Sequence, residues 1–294
     1  MIPEHLERTI CAVHGARGVQ WLADLPDGLA AIERRFAVKL LAPYPNLTYN
    51  LVLSALAEGG EKIVVKLNVP NQELRTESQA LQLHDGHGYV RLLGGDADLG
   101  VLLLEKVCPG IPLSQVQDDD TAVEIFCGVL QAQKRVDASR ADFPALDDWG
   151  KGLERIPEGK MPAARVERAR RIYRRLLETT QETTLLHGDL HHDNILSAGD
   201  GWVAIDPKGV IGDPHFELIP FLLNYLTGQA QLRTRIERIC AKTGLDPGRV
   251  TAWGFAHMVL SAWWHVEDGT DGYEPALQTA DYFEELLGGI TRWD

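Results

Sequence analysis

Residues 187–194 read His-Gly-Asp-Leu-His-His-Asp-Asn, and residues 205–209 read Ile-Asp-Pro-Lys-Gly. These two stretches are the most specific signal in the sequence. Between them lies ILSAGDGWVAID, whose apolar runs on either side of a Gly-Asp-Gly turn at 199–201 predict a small β-hairpin. A hairpin brings its two ends together. We therefore expect Asn194 and Asp206 to lie close to one another.

The polar residues of these stretches have the chemistry that phosphoryl transfer needs. The acceptor hydroxyl must be oriented and relieved of its proton, and magnesium must bridge the phosphates. Asp189 can accept the proton, while Asn194 and Asp206 offer the hard oxygen ligands that Mg²⁺ prefers. A chance cluster of polar loop residues is the alternative, and the ordered set with a hairpin between its parts argues against it.

The same residues resemble the aminoglycoside phosphotransferase family, a branch of the protein-kinase-like fold. The family's catalytic loop reads H-G-D-x-x-x-x-N, and His187, Gly188, Asp189 and Asn194 supply all four fixed letters. Protein kinases have Arg where Gly188 stands. The resemblance is closer still to the streptomycin 6-kinase and hydroxyurea kinase group, whose pattern HGDLHH-[DE]-NI, followed by GW-x-x-IDP-x-G-x-x-G, is matched at residues 187–195 and 201–212.

This resemblance implies an α+β, two-lobed, protein-kinase-like fold that uses ATP and Mg²⁺. Residues 1–107 would form a small antiparallel-sheet lobe that binds the nucleotide, and residues 108–294 a larger helical lobe for catalysis and acceptor binding. It also implies that the backbone at Glu105 and Val107 binds the adenine. The loop over the phosphates would be residues 45–50, with the hydroxyl of Thr48, because no GxGxxG precedes the third strand.

A kinase-like fold also needs a strand lysine paired with a helix glutamate. Lys66 lies within Ile-Val-Val-Lys-Leu, a run that predicts a buried strand, where an unpaired ammonium is costly. Glu77 borders the apolar stripe of the following helix, and Glu73 is a competing partner one turn earlier. We expect Lys66 and Glu77 to pair and to serve nucleotide binding. The alternative is an edge-strand lysine that reaches solvent and a solvated glutamate.

The rest of the chain reads as a β-rich part followed by a helical part. The first third predicts strands with one helix: strands at 36–42, 48–57, 62–69, 89–93 and 101–107, and a helix at 71–86. From about residue 118 the pattern is mostly helical, with candidate helices at 119–137, 163–180, 214–227, 230–242, 247–266 and 274–287. The order predicts an antiparallel sheet with a helix inserted after its third strand.

The acceptor is expected beyond Asp189, against the helical part. Aminoglycosides are polycations rich in hydroxyls, so a matching pocket needs carboxylates and a flat apolar wall. The segment from Trp263 to Asp271 offers both, and a solvated acidic turn is the alternative. The candidate acceptor-binding residues are Glu217, Trp264, Glu267, Asp268 and Asp271.

Composition limits the partners. The formal net charge of −13 over 294 residues disfavours nucleic acid and anionic lipid. The same charge would favour a cationic small molecule, and the alternative is that it simply keeps the protein in solution. The four scattered cysteines contain no CxxC pair, and His191, His192 and His215 fit no zinc-site spacing. No apolar run is long enough to cross a bilayer and the N-terminus lacks a signal-peptide pattern, which favours a cytoplasmic protein.

Two other functions fit the same residues. The chain could phosphorylate a different hydroxylated metabolite, or it could be a nucleotide-binding regulatory module without turnover. The presence of Lys66, Asp189, Asn194 and Asp206 together argues against the second.

Overall fold

The computed structural model describes residues 2–45, 47–134, 136, 142–288 and 293. The chain divides into two compact units. The first consists of Met1–Ile111 with Leu196–Ile205, and the second of Pro112–Ile195 with Asp206–Asp294. The hairpin between the two motif stretches therefore belongs to the first unit, although the motif residues on either side of it belong to the second.

The first part of the chain forms helices around a sheet. Its elements are α1 (Glu4–His14), α2 (Ala16–Phe36), β1 (Val38–Pro43), β2 (Leu51–Ala57), β3 (Lys62–Leu67), α3 (Gln72–His84), β4 (Leu92–Asp96), β5 (Val101–Glu105) and β6 (Pro109–Pro112). Strands β1 to β5 make one antiparallel sheet in the order β1-β2-β3-β5-β4. The predicted antiparallel sheet with a helix inserted after its third strand is therefore present.

Alternation along the strands gives this sheet two different faces. Leu51, Leu53, Ile63 and Val65 are buried in the core cluster that also contains residues of α1 and α2. Successive side chains of a strand point to opposite faces, so Lys66, next to Val65, lies on the face away from this core. The connection between β2 and β3 turns at Gly60, whose φ of +83° favours glycine.

Helices α1 and α2 differ from the sequence prediction, which described the first third as strands with one helix. Both are amphipathic and bury Leu6, Ile10 and Leu25 against the sheet. Pro26 and Gly28 stand inside α2 and weaken the local helical signal. Packing of the apolar face on the sheet stabilises the helix despite these residues.

The remainder of the chain is mostly helical. Its elements are α4 (Asp119–Ala132), α5 (Leu146–Glu154), α6 (Ala163–Thr179), β7 (Thr184–Leu186), β8 (Ile195–Ala198), β9 (Gly201–Ala204), β10 (Val210–Gly212), α7 (Ile219–Leu223), α8 (Gln229–Thr243), α9 (Pro247–Asp268) and α10 (Tyr273–Leu287), with 3-10 turns at Leu113–Gln115, His192–Asn194 and Pro214–Leu218. β7 pairs with β10, and β6, β8 and β9 form a small sheet. Helix α9 is the central element of the second unit, because it packs against α5, α6, α8 and α10.

Three helix predictions need correction. The predicted helix 214–227 is a 3-10 turn at Pro214–Leu218 followed by the single short helix α7. The predicted helix 119–137 ends at Ala132, and residues 135 and 137 lie outside the described part of the chain. Helix α5 is absent from the prediction, because nine residues with two glycines carry a weak periodic signal. Within the described ranges, none of the helices has the length and apolar character needed to cross a membrane.

Candidate active site

A two-stranded ladder brings the two motif stretches together. β7 runs antiparallel to β10, with Leu186 opposite Val210, so the chain just after β7 lies beside the chain just before β10. The carbonyl of His187 accepts the backbone N–H of Lys208 at 2.8 Å and that of Gly209 at 3.3 Å. Residues 187–194, here called the catalytic loop, and residues 206–209 are therefore held side by side within one unit.

Gly188 gives the catalytic loop its sharp turn. Its φ is +78°, a region that side chains with a Cβ rarely adopt. An added Cβ would lie 2.8 Å from Val210 Cγ1 and 3.4 Å from the ring of Trp149. Both the backbone conformation and the close packing thus require glycine at the position where protein kinases have arginine.

Asp189 presents a partly exposed carboxylate with basic groups on both sides. Its side chain is 38% exposed. Lys208 Nζ lies 3.9 Å from Oδ2, and His191 Nε2 lies 3.9 Å from Oδ1. The backbone N–H of Asp189 donates to His187 Nδ1 at 3.2 Å. The backbone of Asp189 is therefore held in place, while its carboxylate remains accessible to an incoming hydroxyl.

Asn194 and Asp206 have the donor chemistry of a magnesium site. Asn194 Nδ2 donates to the carbonyl of Asp189 at 2.9 Å. This hydrogen bond orients the side-chain amide, so that its oxygen points away from the Asp189 carbonyl. Asp206 is half-buried and adopts a left-handed backbone with φ of +57°, as the chain turns from the hairpin toward β10. Carboxylate and amide oxygens fit Mg²⁺, which binds few protein groups and keeps much of its coordination for water and phosphate.

Glu217 is an acceptor-binding candidate from the sequence, but the structure buries its side chain. It is only 4% exposed. Its Oε1 accepts the backbone N–H of His187 at 2.8 Å, and its Oε2 accepts that of Gly188 at 3.1 Å. The carboxylate is thus buried behind the catalytic loop, and the sequence interpretation needs correction. The 3-10 turn at Pro214–Leu218, where a helix was predicted, places it there.

In the first unit, Lys66 on β3 and Glu77 on α3 form a buried ion pair. Lys66 Nζ donates to both carboxylate oxygens at 2.8 Å, and both side chains are about 5% exposed. Helix α3 begins at Asn71, whose side chain accepts the backbone N–H of Leu74. The pair contains Glu77 rather than Glu73, because Glu77 lies on the buried face of the helix.

The other predicted nucleotide contacts lie in the first unit as well. The carboxylate of Glu105, at the end of β5, accepts the backbone and side-chain N–H groups of Arg91, and its own backbone N–H donates to the carbonyl of Arg91. Val107 is half-buried just after β5, and Thr48 is exposed in the bend before β2. Asn46, within the predicted phosphate loop, lies outside the described residues.

The predicted acceptor segment forms the end of α9 and the turn after it. Trp264 is half-buried, Asp268 and Asp271 are exposed, and Glu267 Oε2 lies 3.7 Å from Arg155. The sequence interpretation missed Trp149 on α5, whose ring meets Trp264 edge-on with 6.2 Å between ring centroids. The ring of Trp149 also lies 3.4 Å from where a Cβ on Gly188 would stand. Trp149 therefore packs against both the catalytic loop and Trp264 of α9. In the sequence, a tryptophan that follows two acidic residues does not by itself indicate a binding site, because its surroundings depend on how helix α5 packs.

Comparison with known proteins decides the family. Residues 45–269 match the model of the aminoglycoside/hydroxyurea antibiotic resistance kinase family. The chain belongs to this family. This membership makes it a phosphotransferase of the kinase type and confirms the resemblance predicted from the motifs. It also explains why the fixed letters of the catalytic loop and the Ile-Asp-Pro stretch occur together and in order.

Curated relatives align over three quarters or more of the chain. A streptomycin 6-kinase from Streptomyces glaucescens is 31% identical over 95% of this chain and 95% of its own length. A hydroxyurea phosphotransferase from Kitasatospora aureofaciens is 34% identical over 91% of this chain and 81% of its own. A streptomycin 3''-kinase from Klebsiella pneumoniae is 31% identical over 76% of this chain and 86% of its own.

Solved structures confirm the protein-kinase-like fold class. A choline/ethanolamine kinase family protein from Mesorhizobium loti superposes with a TM-score of 0.66 at 16% identity, covering 92% of this chain and 97% of that one. Aminoglycoside phosphotransferase APH(4)-Ia, in a ternary complex with ADP and hygromycin B, has a TM-score of 0.63 at 14% identity, with coverage of 88% and 97%. At these identities the likeness concerns the fold alone.

Proposed function

We propose that this kinase transfers the γ-phosphate of ATP to a hydroxyl group of an aminoglycoside such as streptomycin. The observation that carries the proposal is the pairing of β7 with β10, which holds the partly exposed Asp189 beside the stretch containing Asp206. Two streptomycin 6-kinases at about 30% identity support the acceptor, and structural neighbours described with ADP or AMP support the nucleotide.

In the proposed reaction, Asp189 orients the acceptor hydroxyl and takes its proton. The hydroxyl oxygen forms a bond to the γ-phosphorus as the bond to the β,γ-bridging oxygen breaks, and ADP leaves. Asn194 and Asp206 would hold Mg²⁺, which when bound neutralises phosphate charge. Lys208, 3.9 Å from Asp189, adds positive charge at the acceptor side of the loop. Catalysis then comes mainly from positioning and electrostatics.

We assign nucleotide binding to residues 1–107 and catalysis with acceptor binding to residues 108–294. Lys66, held by Glu77, would bind phosphate oxygens, and the backbone at Glu105 and Val107 would bind the adenine. The hydroxyl of Thr48 would contribute to the phosphate loop. An ammonium that is about 5% exposed and bound by both oxygens of one carboxylate is oriented before nucleotide arrives, which favours binding.

For the acceptor, we propose an aromatic wall with acidic side chains beside it. Trp149 and Trp264 supply the wall, since cations are attracted to tryptophan faces. Glu267, Asp268 and Asp271 follow Trp264 on the same segment and would meet the guanidinium or ammonium groups.

The proposal is tested by measuring ADP release with a panel of streptomycin, hydroxyurea, sugars and amino alcohols, with the phosphorylated product identified by mass spectrometry. We expect streptomycin to be phosphorylated, and Asp189→Asn to lower kcat by about 10²- to 10⁴-fold with little change in nucleotide affinity. Asp200→Asn, in the exposed hairpin turn, is the control. If hydroxyurea were the only compound of the panel to be phosphorylated, the acceptor would be hydroxyurea rather than an aminoglycoside. Full activity of Asp189→Asn would exclude the mechanism.

The nucleotide half of the proposal is tested by removing the buried pair in two steps. Lys66→Met removes the ammonium that donates to both oxygens of the buried Glu77 carboxylate and should destabilise the protein by about 3–5 kcal/mol. Adding Glu77→Leu should recover much of this loss, since the buried carboxylate is removed together with the ammonium. If the lysine serves the nucleotide, the stable double variant still binds a fluorescent ADP analogue poorly. Wild-type nucleotide affinity in the double variant would show that the pair is structural only.

A further inference from the structure

We infer that His257, on helix α9, is a specificity-determining residue of the acceptor site, where its imidazole hydrogen-bonds a second hydroxyl group of a hydroxyl-rich, cationic acceptor. The inference deepens the proposed function and rests on it, because it places a polar contact within the aromatic wall of Trp149 and Trp264. The reacting hydroxyl stays at Asp189, and His257 recognises another part of the same molecule.

Helix α9 is buried over most of its surface, and one narrow stripe of it stays accessible. Every side chain from residue 251 to residue 260 is buried except that of His257. Ser261 and Trp264, further along the helix, are also half-buried. Positions i, i+4 and i+7 lie on the same face of an α-helix. His257, Ser261 and Trp264, here called the α9 stripe, therefore face one common accessible space.

The ring of His257 belongs to the same aromatic cluster as the proposed acceptor wall. It meets Phe216 edge-on with 5.1 Å between ring centroids, and Trp264 with 5.7 Å. Phe216 in turn meets Trp149 edge-on at 5.7 Å. Phe216 is fully buried, whereas the other three rings are half-buried. Phe216 is therefore the common base of three rings that each reach accessible space.

This cluster lies beside the catalytic loop. A Cβ on Gly188, the residue before Asp189, would lie 3.4 Å from the ring of Trp149 and 3.6 Å from Lys208 Cβ. The ammonium of Lys208 is 3.9 Å from the Asp189 carboxylate. An acceptor with one hydroxyl at Asp189 and a ring against Trp149 can therefore extend along the α9 stripe toward the exposed Asp268.

The structural cost of a histidine at this position argues for a role in binding. Among the described residues, His257 Nδ1 is shielded from solvent and has no hydrogen-bond partner. Such buried polar atoms are rare in native proteins and call for a specific reason. A phenylalanine would keep the contacts with Phe216 and Trp264 without this cost. Stability therefore does not explain the histidine, whereas a hydrogen bond to a ligand at the accessible part of the ring does.

The charge state of the ring suits a cationic acceptor. Burial lowers the pKa of His257 to about 4. The imidazole is then uncharged near neutral pH, so it can bind a hydroxyl without repelling guanidinium or ammonium groups on the same molecule. A few polar groups within a largely apolar wall are what orients a small molecule in its site.

The first experiment compares His257→Phe with the matched control Met258→Leu, a buried neighbour on α9 outside the stripe. It measures kcat/KM for streptomycin, the KM for ATP and the thermal midpoint. We expect His257→Phe to lower kcat/KM for streptomycin by about 5- to 20-fold, which is the effect of one lost hydrogen bond. The KM for ATP should stay within twofold, and the thermal midpoint should equal or exceed that of the wild type. Met258→Leu should leave all three quantities near their wild-type values.

A second experiment uses the wild-type protein. Diethyl pyrocarbonate modifies accessible histidines, and mass spectrometry reports the rate at each position. With ADP and Mg²⁺ present, streptomycin should slow the modification of His257. It should leave the rate at His87, an exposed histidine of the first unit, unchanged.

The outcomes separate recognition from a structural role. Unchanged kcat/KM for streptomycin in folded His257→Phe overturns the inference, and so does a lowered thermal midpoint with equal losses for ATP and streptomycin. If His257→Phe does not fold, the modification rates decide: protection of His257 alone supports the inference, and equal rates with and without streptomycin contradict it. If the wild-type protein phosphorylates none of the acceptors, the proposed function has failed, and protection by streptomycin still decides the role of His257.

Discussion

At the scale of single residues, backbone conformation and burial decide more than side-chain identity alone. Gly188 is needed for a left-handed turn that must also leave room for Val210 and Trp149. Lys66 and Glu77 are tolerated in the interior because each satisfies the other. Glu217, a carboxylate that the sequence interpretation places at the acceptor, is buried because two backbone N–H groups need its oxygens.

Gly188 can be compared directly with Gly159, which has nearly the same φ of +79° but has nothing within 4 Å of an added Cβ. Gly159→Ala should cost only the left-handed conformation, about 1–2 kcal/mol of unfolding free energy. Gly188→Ala adds the contact with Val210 and should cost more, with a loss of kcat that Gly159→Ala does not show. Urea denaturation and the kinase assay measure both effects. Equal stability and equal activity of the two variants would contradict the packing argument.

Glu217 should also make stability depend on pH. Because its pKa rises from 4.5 to about 7 on folding, the folded protein holds this proton more tightly than the unfolded chain. The resulting stabilisation is fully present below about pH 4.5 and is lost as the pH rises through about 7. Relative to Glu217→Gln, the wild-type unfolding free energy should fall by about 2 to 3 kcal/mol from pH 5 to pH 8. Denaturation curves of both proteins at each pH would show parallel profiles if the prediction is wrong.

At the scale of elements, local sequence signals and tertiary packing differ in what they specify. The strands with alternating apolar residues and the capped helix α3 follow from the sequence pattern. Helix α5, with two glycines, depends on packing: the added Cβ of Gly150 would overlap the ring of Tyr173, and that of Gly152 would overlap Leu260. These glycines allow α5 to approach α6 and α9 closely and thereby place Trp149 at the catalytic loop.

Two helix caps offer a matched test of which element serves the nucleotide. Asn71 caps α3, which carries Glu77, and Asp246 caps α9 by accepting the backbone N–H groups of Gly248 and Arg249. Each change to alanine should cost about 1 kcal/mol of unfolding free energy. Only Asn71→Ala should also weaken binding of a fluorescent ADP analogue, because it loosens the helix that holds the lysine. Similar nucleotide affinities in the two variants would argue that α3 is already fixed by its packing.

At the scale of the whole molecule, net charge and family coverage are the informative quantities. The chain carries a formal charge of −13, and a streptomycin 6-kinase aligns with 95% of it. The family assignment therefore extends beyond the motif to both compact units. An acidic protein attracts a polycationic acceptor at long range, and salt at ordinary concentrations screens this attraction.

Ionic strength should therefore separate cationic from neutral acceptors. Raising salt from about 0.02 M to about 0.5 M should lower kcat/KM for streptomycin by roughly 3- to 10-fold, because screening removes the long-range attraction. A neutral acceptor from the panel should change far less under the same conditions. Initial rates with both acceptors at saturating ATP provide the measurement. An equal salt effect on both would point to an effect on the enzyme rather than on acceptor attraction.

The family, the antiparallel sheet with its inserted helix, the contact of Lys66 with Glu77 and the two motif stretches can all be predicted from the sequence. These follow from periodicity and from residue types whose burial requires a partner, which are properties of short segments. The position of Glu217 behind the loop, the approach of Trp149 to Gly188, and the helices α1 and α2 become apparent from the folded structure. Each of these depends on contacts between segments far apart in the chain, and local pattern does not record which backbone groups or surfaces will meet.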